Sequence, residues 1–198
     1  MKKIILTAIW FVLMLPSLSN ATLITSSVIS STGSTNNNIA LISDGIIPAE
    51  SSVWDANTNV WWKNSFAPTF TLDFGELYNL NDVLVSADNN DFYEITWSND
   101  LASWSNLFTI NSNYGEVSWG MDTFSTNALH GEYIAAIDFS TVQARYIRIK
   151  AIGGDFGLSI GEFQAFGSKA SSVPEPSTLT IFALGMIGLA SRRIKKQS

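Results

Sequence analysis

Hydrophobic and polar positions alternate along three stretches of the chain. In Thr69–Phe74, Phe70, Leu72 and Phe74 share one face, and Tyr93, Ile95 and Trp97 oppose Glu94, Thr96 and Ser98. In Ala144–Lys150, Ile147 and Ile149 alternate with Tyr146, Arg148 and Lys150. A strand turns successive side chains to opposite faces, so a period of two marks half-buried strands. It places Phe70, Leu72, Phe74, Tyr93, Ile95, Trp97, Ile147 and Ile149 in the core. Shorter runs extend the prediction to Val83–Ala87, Phe108–Ile110, Glu132–Ile137 and Glu162–Phe166. Clusters such as Asp88-Asn89-Asn90-Asp91 and Gly153-Gly154-Asp155 separate them with turn chemistry. No long segment of period 3.6 intervenes, so the pattern predicts an all-β fold, an antiparallel β-sandwich or jelly roll of about eight strands. Thr25–Asn38 is rich in Ser, Thr and Asn and lacks periodicity, which leaves residues 22–38 as a flexible lead-in or an edge strand.

The pattern changes at both ends. Lys2 and Lys3 precede an apolar run from Ile4 to Leu15, then Pro16, then small residues around Ala21. That is the layout of a secretory signal peptide over residues 1–21, cut after Ala21. The run is 12 residues, short of the roughly 20 that a spanning helix needs. Near the other end, Pro174-Glu175-Pro176 precedes an apolar stretch, Leu179–Ala190, and the basic cluster Arg192, Arg193, Lys195 and Lys196. Basic residues beside an apolar segment stay on the cytoplasmic side. A helix over those 12 residues covers roughly 18 Å at about 1.5 Å per residue, against a hydrocarbon core of about 30 Å. The sandwich is thus expected between two helical ends, an N-terminal signal helix and a C-terminal apolar helix suited to a transient hold. The chain is expected to cross the inner membrane and to finish at the cell surface or in the extracellular matrix.

Composition narrows the chemistry of the middle. Between Thr22 and Ser172 lie 16 acidic residues and 5 basic ones, a net charge near −11. Such a surface argues against nucleic acid as a partner and favours cations, neutral sugars or basic partners. Cysteine is absent, which removes disulfides, thiolate nucleophiles and Cys-ligated zinc. The middle holds one histidine, His130, beside Gly131 in a predicted surface loop, and no Gly-x-Ser-x-Gly elbow or phosphate loop. Asp88 and Asp91 imitate a glycosidase pair, but Asn89 and Asn90 between them read as a solvated turn. The chain is therefore read as a binding or structural protein, not an enzyme.

Two resemblances sharpen this picture. The Pro-Glu-Pro triplet at 174–176, the short apolar helix and the terminal Arg192-Arg193 cluster resemble the PEP-CTERM sorting signal, over residues 173–198. That resemblance implies recognition and removal of the tail by a membrane protease of the exosortase type, in bacteria many of which make exopolysaccharide. Three further segments resemble the discoidin, or coagulation-factor C-type, domain, also called galactose-binding-like. They are Asp44-Gly45 with the tryptophans at 54, 61 and 62; Phe70–Gly75 with Tyr93–Asp100 and Trp104; and Ala144–Ile149 with Gly161–Gly167. The resemblance spans residues 39–167, and residues 168–172 read as a linker to the tail.

Domains of that kind hold sugars, other polymers or phospholipids in loops at one end of the sandwich. A sugar needs an aromatic face for its C–H groups and polar side chains for its hydroxyls. Trp97 belongs to the apolar face, and Trp104 occupies the family's packing position, so both are assigned to the core. Trp54, Trp61 and Trp62 lie in an Asn-, Asp- and Ser-rich loop and are the candidate ligand platform, with core packing the competing role. Adjacent Trp61 and Trp62 point to opposite faces if extended, so one of them can be exposed. The expected ligand is a carbohydrate polymer, in particular exopolysaccharide; a structural envelope or matrix role without a small ligand is the alternative. The resemblance also implies one structural calcium ion, with Asp44, Ser52 and Glu162 at the matching positions. A buried carboxylate at Glu162 is costly unless paired or metal-bound. The competing roles are a plain turn at Asp44-Gly45 and an ion pair from Glu162 to Arg145 or Arg148.

Overall fold

A computed structural model describes residues 21–170. The signal segment up to Asn20, the sorting residues Pro174, Glu175, Pro176, Arg192 and Arg193, and both expected terminal helices lie outside the described residues. Among the described residues no helix is long and apolar enough to cross a membrane.

Nine strands follow in order: β1 (Thr22–Ile24), β2 (Ser27–Thr32), β3 (Val60–Lys63), β4 (Thr69–Asp88), β5 (Phe92–Ser98), β6 (Ser105–Ile110), β7 (Met121–Ser125), β8 (Val142–Gly153) and β9 (Gly157–Lys169). Two short 3-10 helices, Ile39–Ser43 and Ala135–Ile137, complete the elements. Every pairing between these strands is antiparallel.

β4 builds both layers of the sandwich. Its first part, Thr69–Asp73, lies between β2 and β8, and β5 and β6 continue that layer. Its second part pairs with β9 on one side, and on the other stays beside β8 through Leu80 before meeting β7 from Leu84, while β1 and β3 share the far edge of β9. The change of layer falls at an irregularity between Asp73 and Tyr78. Gly75 sits there at φ +79°, a left-handed conformation that glycine adopts without steric cost, and its N–H donates to Asp73 Oδ1 at 2.7 Å. Asp73 also takes the Arg145 guanidinium through two bonds of 3.0 and 3.1 Å, which ties the bend to β8.

The inward faces form one core. Phe70, Leu72, Ile95, Ile147 and Ile149 from one layer meet Val83, Val85, Leu158, Ile160 and Phe163 from the other. Each large apolar side chain so enclosed contributes about 1.5–3 kcal/mol. Seven of the eight predicted core residues are fully buried; Trp97 is half-buried at the edge of the cluster.

Four local expectations need correction. Of the two alternatives for residues 22–38, the flexible lead-in gives way to the edge strand, since β1 and β2 pair with β9 and β4. β9 continues through Lys169, and Ala170 N–H donates to the Leu77 carbonyl, so Ser168 and Lys169 are sheet, not linker. Glu132–Ile137 is no strand: its last three residues form a 3-10 turn. In contrast Met121–Ser125 is a strand with all five residues buried. Loops cover the outward face of β7, so burial there loses the alternation that marks a strand in sequence.

Candidate functional site

The residues around β3 show why two adjacent tryptophans have different fates. β3 pairs with β9, and its pleat buries Val60 and Trp62 while leaving Trp61 half-buried and Lys63 exposed. Trp62 is 1% exposed, donates from Nε1 to the Ser65 carbonyl at 2.9 Å and packs on Phe70. Its place in the ligand platform is therefore withdrawn: it belongs to the core. Trp61 faces outward and meets Trp54 edge to face, with centroids 5.6 Å apart and planes at 87°. Lys63 Nζ caps both rings, 4.8 Å from the centroid of Trp54 and 5.6 Å from that of Trp61. Buried Asn59 fixes the loop that carries Trp54, donating to the carbonyls of Val53 and Trp54 at 3.1 and 3.0 Å.

Two more aromatic rings join this face. Phe66, from the loop after β3, packs on Phe156, from the loop between β8 and β9, at 4.8 Å. The loops are tied by Asn64 N–H donating to the Phe156 carbonyl at 3.0 Å. Asn64 and Phe156 both have left-handed backbones, at φ 58° and 71°. A bulky residue pays strain for that conformation, and such strain concentrates at ligand sites. Phe156 is also 47% exposed. Gly157, next in the chain, lies against the Trp54 ring, which brings the two aromatic pairs to one end of the sandwich. The rim is polar: Asp155 Oδ2 accepts from Asn90 Nδ2 at 3.0 Å, and Asp155 Oδ1 accepts from Gly157 N–H.

Behind this rim lie two carboxylates that the sequence placed in water. Asp88 is 2% and Asp91 0% exposed, so the expected solvated turn is corrected to a buried one. Burial, then the neighbouring Asp155 charge, pushes Asp88 up to about 7; burial, then Asp88, pushes Asp91 up to about 8. Asp91 Oδ1 accepts from Asp155 N–H at 3.2 Å, and a Cβ at Gly154 would collide with that oxygen. The Tyr93 hydroxyl donates to the Ser159 carbonyl at 2.9 Å, and Asp91 Oδ2 lies 3.3 Å from it. A protonated Asp91 can donate to that hydroxyl.

The metal-ligand candidates separate. Gly45 N–H donates to both oxygens of Glu162, at 3.3 and 3.2 Å, and the Asp44 charge lies close enough to raise Glu162. Glu162 is 1% exposed, and burial above all pushes it up to about 7. A cavity of about 160 Å³ opens on this pair, lined also by Thr25, Ser26 and Ser43. Neither expected cation reaches Glu162, because Arg145 is held by Asp73 and the Arg148 guanidinium stacks 3.7 Å from the Trp104 centroid. Trp104 is accordingly a half-buried surface ring and not the core residue expected. Ser52 does not line the cavity; its carbonyl accepts from Met121 N–H at 3.0 Å, which holds it at β7. Two carboxylates without a counter-charge, beside hydroxyls and loop carbonyls, suit a hard divalent cation.

Sequence reasoning missed Phe66, Phe156 and Lys63 on the aromatic face, and Thr25 and Ser26 at the cavity. Phe156 was visible as an aromatic directly after the Gly-Gly-Asp turn, where no strand alternation assigns it to the core. His130, as expected, is exposed on a loop.

No curated protein matches the chain in sequence. Solved structures similar to it include a CBM32 module from a family 31 glycoside hydrolase of Clostridium perfringens, 18% identical, covering 73% of this chain and 92% of that one, at a TM-score of 0.48. The C-terminal domain of a chitobiase from Bacteroides fragilis is 12% identical over 74% of this chain and 96% of its own, at 0.49. A second Clostridium perfringens CBM32 module, solved in complex with GalNAc-β-1,3-galactose, is 16% identical over 74% of this chain and all 100% of its own, at 0.46. The CBM32 neighbours are discoidin-like, galactose-binding-like carbohydrate-binding domains. The PEP-CTERM protein-sorting motif matches residues 172–195, and it marks the chain as an exported protein of the cell surface or extracellular space.

Proposed function

We propose that the chain is an exported carbohydrate-binding module, with Trp54, Trp61, Phe66 and Phe156 as its sugar platform and Lys63, Asn90 and Asp155 at the rim. One observation carries this reading: half-open aromatic rings gathered from β3 and three loops, one of them on a strained backbone with 47% of its surface exposed. An apolar ring left to water is costly unless a ligand covers it, and sugar C–H faces do so. The expected ligand is a polymer such as exopolysaccharide, bound outside the cell after an exosortase-type protease has removed the tail. A calcium ion at Asp44 and Glu162 would tie the loop after the first 3-10 helix to β9. Asp44 and Glu162 would supply its charged ligands, and Thr25, Ser26 and Ser43 neutral oxygens.

The test is a glycan and exopolysaccharide screen of the purified chain beside Trp61→Ala. Binding by the native chain and at least tenfold weaker binding by the variant, at an unchanged melting temperature, is the expected result. A screen without hits would favour a structural envelope or matrix protein without a defined ligand, and hits indifferent to Trp61 would place the binding site elsewhere.

A further inference from the structure

A second group of carboxylates lies apart from the aromatic face and the Asp44–Glu162 cavity. Glu50, Glu116 and Glu132 come from three different loops around β7, and one oxygen of each lies within 4.8 Å of the others. The loops are anchored where these residues leave them. Ser51 N–H donates to the Met121 carbonyl at 2.9 Å, Asn89 Nδ2 to the Val117 carbonyl, and Ser125 N–H to the Glu132 carbonyl at 2.7 Å. Like charges gathered at this spacing repel, and among the described residues neither ion pair, Arg145–Asp73 or Lys169–Glu76, neutralises them.

Asp122, on β7 beneath the three, points to what is missing. It is 0% exposed. Its Oδ1 accepts from Thr123 N–H at 2.7 Å, but Oδ2 has no hydrogen-bond partner. Val117 N–H acts on Asp122 only weakly, behind burial, Thr123 N–H and the Glu116 charge. Oδ2 occupies the space that a side chain at Gly115 would fill, directly beside Glu116 in the chain. Burial above all raises Asp122 and Glu132; the Glu116 and Glu50 charges add to the rise of Asp122, and a Glu116 side-chain hydrogen bond, then the Glu116, Glu50 and Asp122 charges, add to that of Glu132, so the four carboxylates lie close together. A buried carboxylate oxygen with no partner costs several kcal/mol unless a cation meets it.

We propose that Glu50, Glu116 and Glu132, backed by Asp122, bind a divalent cation of calcium's class that pins the three loops around β7. The spacing fits: oxygens no more than 4.8 Å apart can share a centre at most about 2.8 Å away, which admits the 2.3–2.6 Å of calcium. The ligand set is all oxygen and carries no imidazole or thiolate, which disfavours zinc. Exposed Glu50 and Glu116 leave the outer side open to water, as a calcium shell of six to eight oxygens requires.

The test counts bound calcium on the full chain by equilibrium dialysis, for the native protein and for Glu116→Gln/Glu132→Gln. Both positions reach solvent, so the neutral isosteres leave the fold intact, which circular dichroism checks. The native chain is expected to bind one calcium ion more than the variant, whether or not the Asp44–Glu162 cavity is filled. A Glu162→Gln chain is expected to keep the calcium that the double variant loses. Equal counts in the native chain and the Glu116→Gln/Glu132→Gln variant, or no calcium bound to either at millimolar concentration, overturns the proposal.

Discussion

The aromatic face and the Asp44–Glu162 cavity are built from the same loop-and-strand materials and leave opposite things undone. On the aromatic face the named polar anchors are satisfied: Asn59, Asn64, Trp62 and Asp155 all have hydrogen-bond partners. What remains open there is ring surface. In the cavity Ile24 and Phe163 are buried while Leu23 stays exposed at the mouth, and what remains open inside is charge, a carboxylate at Glu162 pushed up to about 7 with no cation against it among the described residues. The lesson is that unsatisfied chemistry, more than cavity size, indicates the ligand. Open rings ask for a partner with apolar faces, and closed carboxylates ask for a cation or a proton. The two regions should therefore respond to different perturbations.

The sharpest break between fold and platform separates neighbours on β3. Trp62→Ala empties a fully buried site and is expected to cost about 3–5 kcal/mol. At about 2–4 °C per kcal/mol the melting temperature should fall by roughly 6–20 °C. Trp61→Ala should leave it within about 2 °C. Similar losses in both variants would mean that Trp61 is structural and would erase the distinction.

Metal removal acts on the other region. If calcium occupies the Asp44–Glu162 cavity, a hundredfold excess over its dissociation constant stabilises by about 2.7 kcal/mol. Excess chelator should then lower the melting temperature of the native chain by several degrees, and Glu162→Gln should remove the part of that sensitivity that the cavity contributes, leaving the part due to the Glu50, Glu116 and Glu132 site. A melting curve indifferent to chelator contradicts an ion in the cavity.

A smaller effect comes from pH, measured in chelator. Asp88 and Asp91 are raised in the folded chain to about 7 and about 8, from about 3.8 when unfolded. Below the unfolded value both states are protonated and folding is not penalised. As pH rises, the unfolded chain releases its protons first, so stability falls until the folded groups ionise as well. The melting temperature should therefore be higher at pH 5 than at pH 8.5, and Asp91→Asn should flatten that slope. A slope of the opposite sign would mean that these carboxylates are charged and solvated.

The smallest expected effect on stability is at Phe156. Phe156→Gly removes a ring and at the same time relieves a left-handed backbone, which costs a non-glycine residue about 1–2 kcal/mol. The melting temperature should change by less than about 3 °C while carbohydrate binding weakens tenfold or more. Binding equal to that of the native chain would remove Phe156 from the platform.

The sheet was legible because its physics is periodic. Phe70, Leu72, Tyr93, Ile95, Ile147 and Ile149 alternate in sequence and are buried in the structure. The opposite fates of Trp61 and Trp62 followed from the same pleat. β7 escaped because loops cover its outer face, so Met121–Ser125 shows no alternation. Asp88 and Asp91 were misread because Asp and Asn have turn chemistry whether or not another loop later closes over them. Here the 153–157 loop does so, through Asp155 N–H and the bare Cα of Gly154. The pairing of Phe66 with Phe156 joins residues 90 positions apart, a contact that no local pattern carries.

The central claim is that the outward tryptophans, and not the inward one, meet sugar. The most direct measurement follows the indole N–H signals of the chain by two-dimensional NMR during titration with the best-bound glycan or exopolysaccharide fragment. Trp54 and Trp61 are expected to shift progressively to saturation. Trp62, whose Nε1 is committed to the Ser65 carbonyl, is expected to stay in place. Saturable binding that leaves both Trp54 and Trp61 unmoved would contradict the account.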